Sequence, residues 1–126
     1  MEMHESGENY LETILMLKER MGQVRSIDIA NEMGFTKPSI SVAMKKLREN
    51  GYIEVDEEGY ITLKDDGYEI ATRIYERHKT VAQLLMLLGV KEETALDDAC
   101  RMEHDISEES YQSLKKHYEF LVKNQA

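Results

Sequence analysis

A single cysteine, Cys100, and a single proline, Pro38, occur in 126 residues, and basic side chains are in short supply. One cysteine cannot form an intramolecular disulfide, so the composition gives no sign of an oxidising compartment, and a reducing cytoplasm is the expected home. No apolar run reaches the roughly 18 residues that a membrane span needs, and no secretory signal is recognisable. Pro/Ser-rich linkers, internal repeats and low-complexity tracts are missing too. The 16 Lys and Arg stand against 25 Asp and Glu, a net charge of −9. That balance argues against indiscriminate nucleic-acid binding, because phosphate rewards clustered cations. Any DNA site must be a local basic patch. Neither a nucleophile motif, a phosphate loop nor a zinc-protease signature is present, so an enzyme is not expected. With 41% hydrophobic and 33% charged residues, the chain reads as an ordinary folded protein. Its length suits one domain, or a small domain with a helical extension.

The first half reads as a winged helix-turn-helix. Tyr10, Leu11, Ile14, Leu15 and Leu17 recur at helical spacing over residues 8–20, and Met21-Gly22 ends the run. Ser26 is placed to cap a short second helix through Met33, with Ile27, Ile29 and Ala30 available to pack, before a turn at Gly34-Phe35. Thr36 then caps a third helix that tolerates Pro38 in its first turn. Ile40, Ala43, Met44 and Leu47 face inward, which leaves Lys37, Ser41, Lys45 and Arg48 outward. Small hydroxyl residues near the start, Ser39 and Ser41, suit base edges, and Lys37, Lys45, Lys46 and Arg48 suit phosphates. For one helix alone, a solvated amphipathic face explains the same pattern. The residues that follow favour the DNA reading. Gly51 closes the helix, and Tyr52-Ile53-Glu54-Val55, a turn at residues 56–59 and Tyr60-Ile61-Thr62-Leu63 form a hairpin wing. Its tip, Asp56-Glu57-Glu58, is acidic and is expected to add little affinity for phosphate.

The second half reads as wholly helical. A long helix over residues 64–88 aligns Ile70, Ile74, Val81, Leu85 and Leu88 in one stripe, with His78 on it, and Gly89 ends it. The run Leu84-Leu85-Met86-Leu87-Leu88 is more apolar than one buried face requires, and the surplus suits a dimer interface. A helix over residues 92–104 follows, and Ser107 caps a last one to about Lys123. Within the first of these, Cys100, Glu103 and His104 stand at i, i+3 and i+4, so thiol, carboxylate and imidazole share a helix face. That donor set suits Fe, Co, Ni or Zn better than Mg or Ca. Each residue also has a plainer explanation taken singly. Cys100 could be a small core hydrophobe, His78 a core histidine, and Glu12 and Glu103 solvated helix residues. His4 and His117 match no motif.

The chain resembles the metal-dependent transcriptional repressors typified by the diphtheria toxin repressor and the manganese transport regulator. The resemblance is carried by Glu8-Asn9-Tyr10-Leu11-Glu12-Thr13-Ile14, the helix-turn-helix around Pro38-Ser39, Arg77-His78 and the stretch from Ala99-Cys100-Arg101-Met102-Glu103-His104 to Asp105-Ile106-Ser107. It implies a mostly α protein, with a winged helix-turn-helix over residues 1–63 and an all-helical metal-binding and dimerisation domain over 64–126. It makes Asn9, Glu12, His78, Cys100, Glu103 and His104 the expected metal ligands. Ser26, Thr36, Lys37, Pro38, Ser39, Ser41, Lys45, Lys46 and Arg48 are the expected DNA-contacting residues. Ala82 and Leu96 replace ligands of the family's second site, which points to one metal per protomer; with two, His78, Glu12 and Glu103 are the expected bridging or second-site donors.

The resemblance implies a repressor of metal-homeostasis genes, with a divalent metal as corepressor and a homodimer on a palindromic DNA operator. Cys100 favours Fe(II); the manganese branch has a carboxylate there, but Glu12 keeps Mn(II) next, and Co(II) or Zn(II) could substitute. The competing class is a metal-independent winged-helix regulator that responds to a small molecule.

Overall fold

The structure, a computed structural model, describes residues 5–124, so His4 lies outside the described residues. Six helices and one hairpin follow in the order α1 (Glu5–Met21), α2 (Ser26–Met33), α3 (Lys37–Glu49), β1 (Ile53–Val55), β2 (Ile61–Leu63), α4 (Asp65–Leu87), α5 (Glu92–Asp105) and α6 (Glu108–Lys123). The chain forms two compact units that divide within α4, between Arg73 and Ile74.

In the first unit α1 buries Leu11, Ile14, Leu15 and Leu17. It is already helical at Glu5, three residues before the apolar pattern begins. The expected cap of α2 is corrected. Ser26 is the first helical residue and Arg25 the N-cap, where the Asp28 carboxylate accepts the Arg25 N–H at 2.9 Å. A carboxylate reaching back satisfies that amide, so no hydroxyl is needed at the cap position. Ile29 and Ala30 are buried as expected, whereas Ile27 is exposed. Gly34, at φ +71°, ends α2 in the left-handed conformation that favours glycine. Thr36 caps α3, its hydroxyl oxygen accepting the Ser39 N–H at 3.3 Å, and Ile40, Met44 and Leu47 fill the core beneath.

The wing is a two-stranded antiparallel sheet in the register Ile53↔Leu63 and Val55↔Ile61. Ile53 and Ile61 point into the core. Ile61 N–H also donates to Val24 O at 2.7 Å, which ties β2 to the segment before α2. Asp56 organises the tip, since its Oδ1 accepts the N–H groups of Glu58 and Tyr60, both at 2.9 Å. The first turn of α4 is close to the hairpin, and a Cβ on Gly67 would overlap the Tyr52 backbone carbonyl. Gly67→Ala is therefore expected to destabilise by about 1–3 kcal/mol through overpacking, read as a lower urea midpoint with an unchanged m-value.

In the second unit α4 buries Ile74, Arg77, Val81, Ala82 and Leu84. Val81, Ala82 and Ala99 form a small apolar cluster, joined by half-buried Leu85, Met86, Met102 and Ile106. One member of the expected stripe is corrected: Leu88 is 66% exposed. The helix ends at Leu87, and Gly89 at φ +99° turns the chain away before residue 88 can reach the core. Ser107 caps α6 by accepting the Ser110 N–H at 3.0 Å. Tyr111 is buried, with its hydroxyl 3.4 Å from that of Thr80. Among the described residues no helix is long and apolar enough to cross a membrane.

Candidate metal centre and nucleic-acid interface

The second unit places two of the expected ligands, His78 and His104, beside the two carboxylate oxygens of a third, Glu103. Ala95, Ala99 and Glu103 form the buried face of α5, spaced four residues apart, so the carboxylate of Glu103 is carried inward on an otherwise small, apolar stripe. It is completely buried. Its Oε2 lies 3.0 Å from Nδ1 of His78 on α4, and its Oε1 lies 3.3 Å from Nε2 of His104 on α5. The His104 side chain is also sealed off, at 2% exposure, while that of His78 keeps 16%. An ionised carboxylate this deep is costly unless positive charge or strong donors face it. Carboxylate and imidazole are donor types that suit a divalent first-row ion.

The other expected ligands are placed as follows. Cys100 lies one helical turn before Glu103 on α5 and is exposed. In the first unit, α1 carries Glu12, which is buried, and Asn9, which is half-buried and whose backbone oxygen accepts the Thr13 hydroxyl at 2.8 Å. His117 is exposed on α6 and stacks on Phe120.

The expected DNA-contacting residues on and around α3 are exposed but divided: Ser41, Lys45 and Arg48 line one surface groove with Ser26, whereas Ser39 and Lys46 line another beside Tyr10 of α1. Thr36, Lys37, Pro38, Ser39, Ser41, Lys45, Lys46 and Arg48 are all exposed, and Ser26 is half-buried. Thr36 and Ser39 are linked, the Thr36 hydroxyl donating to Ser39 Oγ at 2.9 Å. Between α2, α3 and β1 lies a groove of about 270 Å³ lined by Ser26, Ser41, Met44, Lys45, Arg48 and Val55.

Residues 2–61 match the N-terminal DNA binding domain of the iron dependent repressors, and residues 64–125 match their metal binding and dimerisation domain. The chain belongs to the iron-dependent repressor family. That family is one of transcriptional regulators, not of enzymes. An uncharacterized HTH-type transcriptional regulator of Methanocaldococcus jannaschii is 35% identical over 115 residues, which are 90% of this chain and 92% of the relative. The transcriptional regulator MntR of Escherichia coli O6:H1 is 33% identical over 108 residues, 86% of this chain and 70% of MntR. A manganese-dependent transcriptional repressor solved in complex with manganese is similar with a TM-score of 0.80 at 25% identity, covering 90% of this chain and 53% of that one. The metal-dependent transcriptional regulator MtsR gives 0.82 at 27% identity, covering 90% and 54%. The chain thus spans about half the length of these solved relatives.

Two residues of this chain stand out in the structure but not in the sequence pattern. Arg25 is an exposed cation at the N-cap of α2, with its guanidinium 4.4 Å from the centre of the Tyr60 ring on the wing. A cation immediately before a capped helix was the available signal, and attention to α3 alone passes over it. Arg77 is buried in α4, where its position beside His78 made it read only as part of a motif.

Proposed function

We propose that this chain is a metal-dependent transcriptional repressor whose affinity for operator DNA rises when a divalent ion binds at His78, Glu103 and His104. The observation that supports this most is the fully buried Glu103 carboxylate, with an imidazole nitrogen 3.0 Å from one oxygen and another 3.3 Å from the other. Glu12 and Asn9, on α1, are proposed as further donors. The bound ion would supply positive charge beside the buried Glu103 carboxylate. The proposed coupling is linkage: the ion binds more tightly to the DNA-competent arrangement, so that ion affinity and DNA affinity rise together. A coupling of about 1–3 kcal/mol gives a roughly 5- to 150-fold change in operator affinity.

Residues 1–63 are assigned to DNA binding and 64–126 to metal binding and dimerisation. The apolar surplus at the end of α4 leaves Leu87 and Leu88 exposed, at 39% and 66%, and supports a homodimer that sets two α3 helices on a palindromic operator about one DNA turn apart. Cytoplasmic residence fits such a role.

For the metal, the buried donors favour Mn(II), because carboxylate and imidazole without thiolate make a harder set, and several similar solved structures are manganese regulators by name. Fe(II) is the second reading, and it rests on Cys100 as a ligand. Cys100→Ala separates the two. Under the manganese reading the Mn(II) concentration that half-activates operator binding moves less than about threefold, whereas a thiolate ligand would cost 10- to 100-fold or more, the scale of even an outer-shell partner.

A further inference from the structure

Arg77 is the one buried cation among the described residues, 5% exposed. Its Nη1 donates to the backbone carbonyls of Glu103 at 3.0 Å and Ile106 at 3.1 Å, and its Nη2 pairs with Oε2 of Glu108 at 2.6 Å. Its guanidinium carbon lies 5.1 Å from the centre of the Tyr111 ring. The two carbonyls belong to the end of α5, where backbone oxygens have no partner within the helix. Glu108 opens α6. One planar fork thus closes the corner between α5 and α6 onto α4.

The neighbour of Arg77 in sequence is His78, and the two consecutive residues grip Glu103 at opposite ends. Arg77 holds its carbonyl and His78 its carboxylate. A buried cation whose only task was to satisfy a helix end would be a costly choice, since water or a capping side chain serves the same carbonyls at less desolvation. A rigid guanidinium with three acceptors fixed at once does more, because it fixes where the Glu103 backbone sits and hence where its side chain points.

We propose that Arg77 is a positioning residue for the metal-binding Glu103, and that the Arg77–Glu108 pair makes the α5–α6 corner a determinant of metal affinity. This rests on the metal centre proposed above. A purely structural role would weaken the metal-free and metal-loaded protein alike; positioning weakens metal binding beyond any loss of stability, and alters the geometry around the ion.

The test uses the full chain. Arg77→Lys keeps the charge but loses the fork, and Glu108→Ala removes the exposed half of the pair while leaving Arg77 on both carbonyls. Mn(II) affinity is measured by calorimetry, Co(II) is followed by its visible absorption, and the metal-free proteins are unfolded in urea alongside. Arg77→Lys is expected to bind Mn(II) about 10- to 100-fold more weakly, with Co(II) bands changed in position or intensity. Glu108→Ala shows a smaller loss in the same direction. A folded Arg77→Lys with Mn(II) affinity within about threefold of wild type, on the same scale of outer-shell effects, and an unaltered Co(II) spectrum overturns the proposal. Should Arg77→Lys not fold, an unchanged affinity in Glu108→Ala overturns it instead. A wild-type chain that binds neither ion brings down the metal centre itself, and the role of Arg77 with it.

Discussion

Glu103→Gln is expected to abolish the response to metal while leaving the fold intact. The substitution keeps the size of the side chain and leaves an oxygen and an amide to face His78 and His104, which lie 3.0 and 3.3 Å from the carboxylate. What disappears is the negative charge at the centre of the cluster. In the metal-free protein, replacing a completely buried carboxyl group by a neutral amide avoids the desolvation that its charged form carries, so stability is expected to hold or rise. Metal affinity moves the other way, with an expected loss of at least about 100-fold, the upper end of what outer-shell partners alone cause. Thermal unfolding with and without Mn(II) reads both effects. At a concentration 100 times its dissociation constant, Mn(II) stabilises the wild type by about 2.7 kcal/mol, and at that same concentration the variant gains almost nothing. An equal metal-induced shift in the two proteins would remove Glu103 from the ligand set.

The second large effect is expected on the DNA side. Replacing Lys45 and Arg48 together by alanine removes two exposed cations that line the groove beside Ser26, Ser41 and Val55. Each phosphate contact contributes about 0.9 to the slope of log K against log salt, so the double variant should lose about 1.8 of slope and about 60-fold in affinity at 0.1 M salt. The share of Lys45 is the smaller one, because its ammonium already stands 3.9 Å from Glu49. The loss should be the same for operator and unrelated DNA, as befits groups that hold the backbone without reading it. Ser41→Ala provides the contrast: an unchanged salt slope, with about 1–3 kcal/mol less discrimination at one base pair. Binding isotherms over a salt series decide the matter, and a slope that stays at the wild-type value would move the interface elsewhere.

Much of the architecture is legible in the residues because local chemistry and tertiary packing agree. Thr36 before Lys37-Pro38, the hairpin on either side of residues 56–59, and Ser107 before α6 are signals whose partners lie within a few positions, and each is found where the pattern puts it. Disagreement arises where an alternative partner is equally near. Asp28 reaches back to the Arg25 amide and displaces Ser26 from the cap, and Gly89 turns the chain before Leu88 can join the stripe of α4. The acidic wing tip gains a structural explanation as well, since Asp56 holds its own turn together.

The candidate centre was legible in part. The spacing of Glu103 and His104 places both on α5, but the pairing of Glu103 with His78 arises from a helix about 25 positions earlier, which no local pattern reveals. The helical spacing that puts Cys100 on the same face does not determine its depth. The buried stripe of α5 runs through Ala95, Ala99 and Glu103, and Cys100 stays exposed beside it. Arg77 was hidden for a related reason. Its acceptors are backbone carbonyls at a helix end, and those have no signature in the identity of the residues that carry them.

Operator affinity measured at one fixed ionic strength, with Mn(II) saturating and then with chelator in excess, tests the link between ion and DNA most directly. A metal-activated repressor binds its operator roughly 5- to 150-fold more tightly in the presence of the ion, with little change for unrelated DNA. Equal affinity in the two conditions would contradict metal control and favour a winged-helix regulator that answers to a small molecule instead.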